Sequence, residues 1–537
     1  MTTALRRPVW ILAAAAILLL PAVLWGRPFV FYDTPAYWGW GRDIYEALQR
    51  PWPQAGQPWI AGRPLHGWEI GAHGATSGDL SFTVTLLTAR SAFYALPFYL
   101  LTRAGGLWLV AALQALAAAW TVQVVGRALV PAMSGLAYLA LVAALAGLTS
   151  LGFEAAYTMP DLFGGLALLA AGLLIARPES IGRWSRLGLV VLMVYAALVH
   201  TANLLDLAVA VVFSLLIYGR AGLPKALARV APVAAALTVA VVASAVSQMA
   251  LAQAFGRPLL TAPFLASRVL ADGTGQSYLR RACGGTKLAA CDLAEVKADY
   301  PEYYLGLYPL EPPPPPLTDV ARIYDRLQFR VVSDAEADHR ERFVREQPRL
   351  VLGAFLTDGG REAGAMLASG AAEALNFGVN RDFDSLQGLM REHTRRRDQM
   401  VALTPGAAAC VQGVGRACGE LNIPALGAVQ GLIVWLSLAL LAVSALRKPA
   451  KAAAADDLRP FAVCMVGFVL ANALICGGLS GAYDRYQSRV EWLIPFCALI
   501  GLVQWAQRGR TAGQASDATI PSPVATIVAA IPAARRS

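Results

Sequence analysis

Charged residues are scarce in this chain: Asp, Glu, Lys and Arg make up only 15% of its 537 residues. About a quarter of an average soluble domain is charged, whereas this chain has 57% hydrophobic residues and a mean hydropathy of +0.50. A water-soluble protein is therefore excluded. The formal net charge of +10 does not indicate nucleic-acid binding, because much of the Lys and Arg flanks apolar segments, where positive charge sets membrane topology.

Several motifs of soluble chemistry are also missing from the sequence. It contains no G-x4-G-K-[ST] phosphate loop, which argues against an ATP-driven machine. The cysteines lack C-x2-C spacing and nearby histidines, so they do not predict a zinc site. No internal repeat is visible, and the sequence therefore does not suggest an inverted-repeat transporter. We expect no cofactor, with a divalent cation as the one alternative.

Ten apolar segments have the length and composition of membrane spans, for which a helix needs about 20 apolar residues. They are residues 9–25, 104–126, 131–150, 160–176, 186–202, 203–219, 228–250, 426–446, 460–479 and 489–507. Arg6 and Arg7 precede the first segment and place the N-terminus in the cytoplasm. Richness in Ala and Arg with little Lys is typical of a high-GC bacterial sequence, so we expect a multi-pass protein of the bacterial inner membrane.

Whether residues 91–102 cross the membrane decides whether the number of spans is even or odd. They are apolar but bounded by Arg90 and Arg103, which leaves about 12 residues where a span needs about 20. We expect them to lie along the outer membrane surface, with a tilted span over residues 82–102 as the alternative. The first segment resembles a signal peptide, but no A-x-A-like cleavage site follows it, so we expect it to remain as an anchor.

A polar insert at residues 251–425 separates the first seven predicted spans from the last three. Within it, prolines 312–316 form a stiff spacer, and helical periodicity follows over 319–347, 349–376 and 382–400. The predicted fold is an all-α polytopic membrane protein of about ten spans (9–12), with a mainly helical extracytoplasmic domain inserted between helices 7 and 8. The other predicted units are the membrane module 1–250 with a large outer loop at 26–103, the membrane helices 426–507, and a disordered cytoplasmic tail at 508–537.

Four of the seven cysteines lie in this insert, and an extracytoplasmic domain favours disulfides. The simplest pairing joins Cys283 with Cys291 and Cys410 with Cys418, because each pair is separated by eight positions. Three connectivities are possible for four cysteines, and four unpaired thiols are the alternative.

With this topology, the polar residues concentrate on the extracytoplasmic side, and all five histidines lie there. Carboxylates, imidazoles and arginines near a low-dielectric boundary are costly unless they are paired, so such a concentration indicates a functional site or an ion-pair network. The residues are Asp33, Tyr37, Arg42, Asp43, Arg63, His66, Glu69, His73 and Asp79 in the first outer loop, and Glu154, Asp161, His200, Asn203, Asp484, Arg485, Tyr486 and Arg489 in later connections.

Four short stretches among these residues resemble the GT-C superfamily of polyprenyl-phosphate-dependent membrane glycosyltransferases, which includes bacterial mannosyl- and aminoarabinosyltransferases. They are YDTPAY with Asp33 and Tyr37, ARSAFY with Arg90 and Ser91, MPDLFG with Asp161, and DRYQSRVEWLIP with Arg485 and Tyr486. The sequence departs from the family pattern in two ways. Asp33 is not part of an Asp-Glu pair, and the polar domain interrupts the spans instead of following them.

The resemblance implies transfer of a sugar from a polyprenyl-phosphate donor to an acceptor hydroxyl, with inversion, at the extracytoplasmic membrane face. Asp33 would act as the general base, and Asp161 would position the acceptor or a metal. Guanidinium and other polar groups would bind the donor phosphate. The residues expected in this second role are Tyr37, Arg63, Arg90, His200, Arg485, Tyr486 and Arg489.

The expected partners are a lipid-linked sugar donor, membrane lipid, and an acceptor that is a glycan, a lipid or a protein; nucleic acid is not among them. Two other functions stay open at this point. One is a lipid or glycolipid transporter or flippase, and the other is a non-catalytic scaffold subunit of an envelope assembly. The predicted spans consist mostly of Ala, Leu and Val, which favours chemistry at the surface over a path through the membrane.

Each candidate residue also has a structural interpretation. Asp33 and Asp161 stand beside prolines at predicted helix starts, where a carboxylate often caps the helix. Arg485 and Arg489 are four positions apart on one helical face and suit lipid-headgroup anchoring. His200 lies at the tip of a tight hairpin, where its ring can satisfy an exposed backbone group.

Overall fold

The computed structural model consists mainly of α-helices in the residues that it describes. These residues are 3–49, 86–88, 90–255, 259–261, 263–286, 288–295, 334–379, 395–404, 424–446 and 457–518, together with Asp384, Leu386 and Met390. Arg63, the prolines 312–316, Cys410 and Cys418 lie outside them.

Helices follow one another closely along the described chain. Up to residue 254 they are α1 (Thr3–Leu18), α2 (Leu20–Trp25), α3 (Thr34–Leu48), α4 (Ala92–Leu129), α5 (Gly135–Leu148), α6 (Leu151–Ala156), α7 (Leu162–Ala176), α8 (Arg183–Val199), α9 (Thr201–Tyr218) and α10 (Leu223–Ala254). After residue 254 they are α11 (Phe264–Ala271), α12 (Thr274–Ala282), α13 (Asp334–Ala374), α14 (Arg395–Leu403), α15 (Pro424–Leu446), α16 (Arg459–Leu479), α17 (Asp484–Glu491) and α18 (Leu493–Ala518). Two short strands, β1 (Leu86–Thr88) and β2 (Leu259–Thr261), pair in parallel.

Six described helical stretches are long and apolar enough to cross a membrane. They are α4, α9, α10, Ala425–Leu446 in α15, α16, and Arg485–Arg508, which continues from α17 into α18. Pro8–Leu18, α5 and α7 are apolar but shorter. These lengths and compositions confirm the coarse prediction of an all-α, multi-pass membrane protein.

Helix α4 is interrupted at Gly105 and Gly106, where the backbone leaves the helical conformation. The φ angle of Gly106 is +65°, a value that a residue without a Cβ atom adopts at little cost. Residues 92–104 therefore form a separate helical piece, about 20 Å long at about 1.5 Å per residue. This length is less than the hydrocarbon thickness of about 30 Å that a span must cover.

Helix α7 forms the centre of the membrane helices. Every residue from Leu162 to Ile175 is buried, because α4, α8, α9, α10, α16 and α17 all pack around α7. A helix that is apolar on all sides must be covered on all sides. As a result, the residue that precedes it, Asp161, lies among several helices instead of on an open surface.

The polar insert divides between two cores. Helices α11 and α12 pack with the first half of α13 around a small core of their own, stapled by the predicted disulfide between Cys283 and Cys291. Helix α13 also packs extensively against α16. Later residues of the insert join the core of the membrane helices; they are Val379, Leu386, Met390, Met400 and Leu403. These described parts of the insert are thus packed into the membrane helices instead of only resting on them.

The sequence placed a helix boundary at Pro348, but α13 runs through this residue without ending. Its backbone departs from helical geometry at Asp358, directly before Gly359 and Gly360. Glycine is the weakest helix former after proline, so two in succession favour a break there. Helix α18 also continues to Ala518, beyond the predicted end of order at Gln507.

One buried ion pair connects the first outer loop to the insert. Arg27 donates from Nη1 to Asp384 Oδ1 at 2.9 Å and from Nη2 to Oδ2 at 2.5 Å. The Val30 amide donates to the same Oδ1 atom at 3.2 Å. Only 6% of the Arg27 side chain and none of the Asp384 side chain is exposed, so each charge depends on the other for solvation.

We expect Arg27→Met to destabilise the protein by about 3–5 kcal/mol, because it leaves the Asp384 carboxylate buried without its guanidinium partner. Thermal unfolding of the detergent-solubilised protein would measure the loss. The control is Arg459→Met: Arg459 pairs with Asp457 at 3.8 Å, with 32% of each side chain exposed, and it should lose only about 0–1 kcal/mol. Adding Asp384→Leu to Arg27→Met should recover much of the loss. Equal unfolding temperatures for Arg27→Met and Arg459→Met would contradict the buried ion pair.

Candidate functional site

Asp33 lies between two arginines that come from distant parts of the chain. It precedes α3, Arg90 lies just before α4, and Arg485 belongs to α17. The Asp33 Oδ1 atom accepts a hydrogen bond from Arg90, and Oδ2 accepts one from Arg485 Nη1 at 3.2 Å. Asp33 makes no side-chain hydrogen bond that caps α3. The three side chains keep 12–16% of their surface exposed, so the cluster is not sealed off from solvent.

Aromatic rings hold both arginines in place. The Arg485 guanidinium lies 4.3 Å from the centroid of the Phe31 ring, and its Nη2 donates to the Tyr486 hydroxyl at 3.3 Å. The Arg90 guanidinium lies 5.8 Å from the Tyr37 ring centroid. Burial raises the pKa of the Tyr37 hydroxyl above its ordinary value, so this residue is neutral at physiological pH. Cation–π contacts and the hydrogen bond therefore fix where the two positive charges point.

Asp161 is a fully buried carboxylate whose two oxygens have no hydrogen-bond partner among the described residues. It stands at the start of α7 but makes no capping hydrogen bond. The charges that act on it are those of Arg485, Arg489, Asp33 and Arg90. A buried carboxylate without hydrogen bonds is costly, so native proteins keep few of them. Asp161 could therefore accept a hydrogen bond from a water or ligand hydroxyl that enters beside the Asp33 site, but its side chain exposes no surface in this structure.

Arg489 occupies a different position from Arg485, although both belong to α17. It is completely buried, and its Nη2 donates to Asp206 Oδ2 at 3.1 Å and to Asn472 Oδ1 at 2.5 Å. Asn472 in turn donates to the backbone oxygen of Tyr486 at 2.8 Å. This network joins α9, α16 and α17 behind the Asp33 site. Arg489, predicted to bind the donor phosphate, thus exposes no surface to a ligand in this structure, because α17 enters the bundle within one turn.

Two consecutive glycines of α7 make room for its neighbours, Gly165 for α17 and Gly164 for Asn203 of α9. A Cβ atom on Gly165 would lie 2.3 Å from the backbone oxygen of Arg489. A Cβ atom on Gly164 would lie 2.7 Å from Asn203 Oδ1. A side chain at Gly165 would push α17 outward, and one at Gly164 would displace Asn203 of α9, so the glycines contribute to the site by leaving space.

Glu154 contacts the same region from α6. Ser488 donates to its Oε1 atom at 2.7 Å, and Ser150 donates to the backbone oxygen of Ser488 at 2.5 Å. Burial raises the pKa of the Glu154 carboxyl well above its ordinary value, and the negative charge of Asp161 raises it further. Glu154 is thus buried and bound to Ser488, whereas Asp33 is the partly exposed carboxylate of the site.

His200 binds a backbone group, as its structural interpretation predicts. Its Nδ1 atom accepts a hydrogen bond from the Ala202 amide at 3.2 Å and so caps the start of α9. Its position close to the site is indicated by the charges of Arg489, Arg485 and Arg90, which all act on the ring. His200 thus lies beside the site while one of its ring nitrogens is engaged by the backbone.

The structure brings together most of the predicted site residues, although they are scattered over the sequence. Those in or beside the cluster are Asp33, Tyr37, Arg90, Asp161, His200, Arg485, Tyr486 and Arg489. Arg63 lies outside the described residues. Within the described residues, no three His, Cys, Asp or Glu side chains form a group that could hold a metal ion.

Sequence reasoning missed Asp206 and Asn472, which fix Arg489. Both fall inside predicted spans, at 203–219 and 460–479. A signal was available, because an ionisable residue within a membrane segment is costly and usually has a specific partner. The description of the spans as mostly Ala, Leu and Val passes over Asp206.

We expect Gly165→Ala to destabilise the protein by about 1–3 kcal/mol, because the added methyl group overlaps the Arg489 backbone oxygen. Gly147→Ala is the matched control: its Cβ would meet no atom within 4 Å, so alanine should stabilise α5 by about 0.5–1 kcal/mol. Unfolding temperatures of both variants in detergent test this difference. Equal effects would show that α7 and α17 do not approach as closely as described.

We expect Glu154→Gln to gain stability relative to the wild type as the pH rises. With its raised pKa, folded Glu154 keeps its proton above about pH 4.3, whereas the unfolded chain releases it. Wild-type stability therefore falls with increasing pH, by at most about 1.4 kcal/mol per pH unit from this group, and glutamine removes that contribution. Unfolding temperatures of both proteins, measured from about pH 5 to about pH 8, give the comparison. A variant that instead becomes less stable relative to the wild type as the pH rises would indicate an ionised Glu154.

A scan against protein-family models, a search of curated proteins and a search of solved structures found no match to this chain. The resemblance to the GT-C superfamily therefore stays a prediction. The geometry and charge of the Asp33 site carry the functional assignment that follows.

Proposed function

We propose that the protein transfers a sugar from a polyprenyl-phosphate donor to an acceptor hydroxyl at the extracytoplasmic membrane face. The observation that carries this proposal is the position of Asp33 between Arg90 and Arg485, all three partly exposed. A reaction of this type needs a carboxylate to accept a proton and fixed cations to stabilise the departing phosphate. The Asp33 site offers both within one group of contacting side chains.

The proposed reaction is a single displacement with inversion. The acceptor oxygen attacks the anomeric carbon, the bond from that carbon to the phosphate oxygen breaks, and the acceptor proton passes to Asp33. Arg90 and Arg485 hold the phosphate that leaves with the polyprenyl chain. Asp161, whose oxygens have no partner among the described residues, is placed to accept a hydrogen bond from an acceptor or sugar hydroxyl.

The topology proposed with this function has ten spans, a cytoplasmic N-terminus, and the insert at residues 251–425 in the periplasm or outside the cell. Each of the ten predicted segments coincides with one or two helices, although the apolar part of α1 (Pro8–Leu18), α5, α7 and α8 are short for a span. Basic residues on the connections support this orientation through the positive-inside rule. We place the protein in the bacterial inner membrane because its richness in Ala and Arg with little Lys is typical of a high-GC bacterial sequence.

A transporter of lipid or glycolipid is the second candidate function, and one observation favours it. The ion pair between Arg489 and Asp206 is buried among membrane helices, and such pairs often mark ion or substrate pathways. The accessible charges nevertheless lie at Asp33, Arg90 and Arg485, near helix ends. We therefore rank glycosyl transfer first.

We expect purified protein to transfer radiolabelled sugar from membrane-extracted polyprenyl-phosphate donors, and Asp33→Asn to lower the rate by about 100-fold or more through loss of the base. Asp457→Asn is the matched control, since Asp457 is a partly exposed carboxylate at the start of α16 with its own arginine partner, and it should keep full activity. Transfer by Asp33→Asn at the wild-type rate would move the base to Asp161 or Asp43. Absence of transfer by the wild type, across a donor panel with native-membrane acceptors, would support the transporter or the scaffold.

A further inference from the structure

Asp33 and a donor phosphate need the same partners. In this structure the two Asp33 oxygens accept hydrogen bonds from Arg90 and Arg485, whose guanidinium groups are the partly exposed ones of the site. A phosphate prefers the same N–H donors, because guanidinium groups match its oxygens in charge and geometry. The proposed base and the proposed substrate therefore compete for one pair of cations.

We propose that Asp33 is an internal latch that holds Arg90 and Arg485 in the ligand-free protein and is displaced when the donor phosphate binds. This inference rests on the proposed glycosyl transfer and adds to it the order of events at the site. The displaced carboxylate then faces the acceptor hydroxyl with its oxygens no longer engaged by the two arginines. Donor binding thus activates the base, and the base is withheld while no donor is present.

The packing decides which partner moves. Arg485 is held by the Phe31 ring and the Tyr486 hydroxyl, and Tyr486 is anchored through its backbone oxygen to Asn472. Arg90 is followed by Ser91, which donates to the backbone oxygen of Leu198 at 2.6 Å and also caps α4. Both cations are therefore attached to firmly packed helix ends.

Asp33 is not held in this way through its helix. It makes no capping hydrogen bond at the start of α3, so a change of side-chain rotamer costs α3 no hydrogen bond. An aspartate has only two side-chain torsions, and rotation about them exchanges its oxygens without moving the backbone. Displacement of the carboxylate therefore leaves the start of α3 and the two helix ends that carry the arginines in place.

Counting only Arg90, Arg485, Asp33 and the phosphate, and leaving out the neighbouring Asp161, the charges balance once the donor is bound and again in the product. Without ligand, two arginines face one carboxylate and leave one positive charge uncompensated among the three contacting side chains. The donor is a phosphodiester with one negative charge, which neutralises the group. In the reaction Asp33 takes the acceptor proton and becomes neutral, while the leaving polyprenyl phosphate becomes a monoester with a charge of about −1.5 to −2. The two arginines balance this product as well.

The latch also accounts for product release. The monoester product binds two guanidinium groups and would dissociate slowly if nothing replaced it. Once Asp33 returns its proton to water, its carboxylate competes again for Arg90 and Arg485. Rebinding of the latch lowers the affinity for the spent carrier, which resets the site for another donor.

The test is equilibrium binding of polyprenyl monophosphate to the full-length protein in lipid nanodiscs. We expect Asp33→Asn to bind about tenfold more tightly than the wild type, since the neutral amide no longer competes for the arginines. Asp33→Ala serves as a second variant that also lacks the carboxylate, and it should change affinity in the same direction. Asp457→Asn is the control and should bind like the wild type.

The outcomes separate this inference from the proposed function. Tighter binding by both Asp33 variants, together with loss of sugar transfer, supports the latch. Unchanged or weaker binding by both variants, with normal binding by the wild type, overturns the latch and leaves glycosyl transfer standing. No binding by the wild type, with no transfer, overturns the proposed function itself. A carboxylate with only a structural role predicts weaker binding, so the direction of the change is decisive.

Discussion

The ion pair between Arg489 and Asp206 lies where α9, α16 and α17 meet, and the arrangement of the site depends on it. Two buried charges attract each other strongly, but each has lost its hydration, so the pair is stable only with further hydrogen bonds. Asn472 supplies them, and its amide nitrogen also binds the backbone of Tyr486. Through this contact the position of α17, and with it of Arg485, is fixed from the inside of the bundle.

The insert contributes to the same region from the outside. Arg268 in α11 donates to the backbone oxygen of Ser480 at 2.8 Å, and Glu373 in α13 accepts from the Tyr483 amide at 2.8 Å. Both contacts are to the connection between α16 and α17, directly before Arg485. The insert therefore belongs to the site's framework, and Arg27 with Asp384 ties it to the first outer loop as well. This explains why a polar domain interrupts the membrane helices: its helices support the segment that carries the arginine.

The two arginine clusters differ in exposure, and this difference separates a structural anchor from a candidate functional site. Arg489 and Asp206 are sealed and paired, which suits a permanent anchor. Arg90, Asp33 and Arg485 are partly exposed and held by contacts that a phosphate can replace, which suits a site that changes partners. The partly exposed cluster can then take part in chemistry near the membrane surface, while the buried cluster beneath it remains a rigid polar network. The same structure does not need a path across the bilayer to account for its buried charges.

The sequence by itself determined the membrane class and the helical architecture, and it predicted the Cys283–Cys291 disulfide and the candidate residues Asp33, Asp161 and Arg485. These follow from local properties, namely the length of apolar segments, the spacing of cysteines and the residue types at segment ends. Tertiary structure alone decided which charges pair, because partners such as Arg27 and Asp384 are 357 positions apart and no local pattern links them. It also separated Arg485 from Arg489: their spacing puts both on one helical face, but only the packing of α7 against α17 determines which of them stays within reach of a ligand.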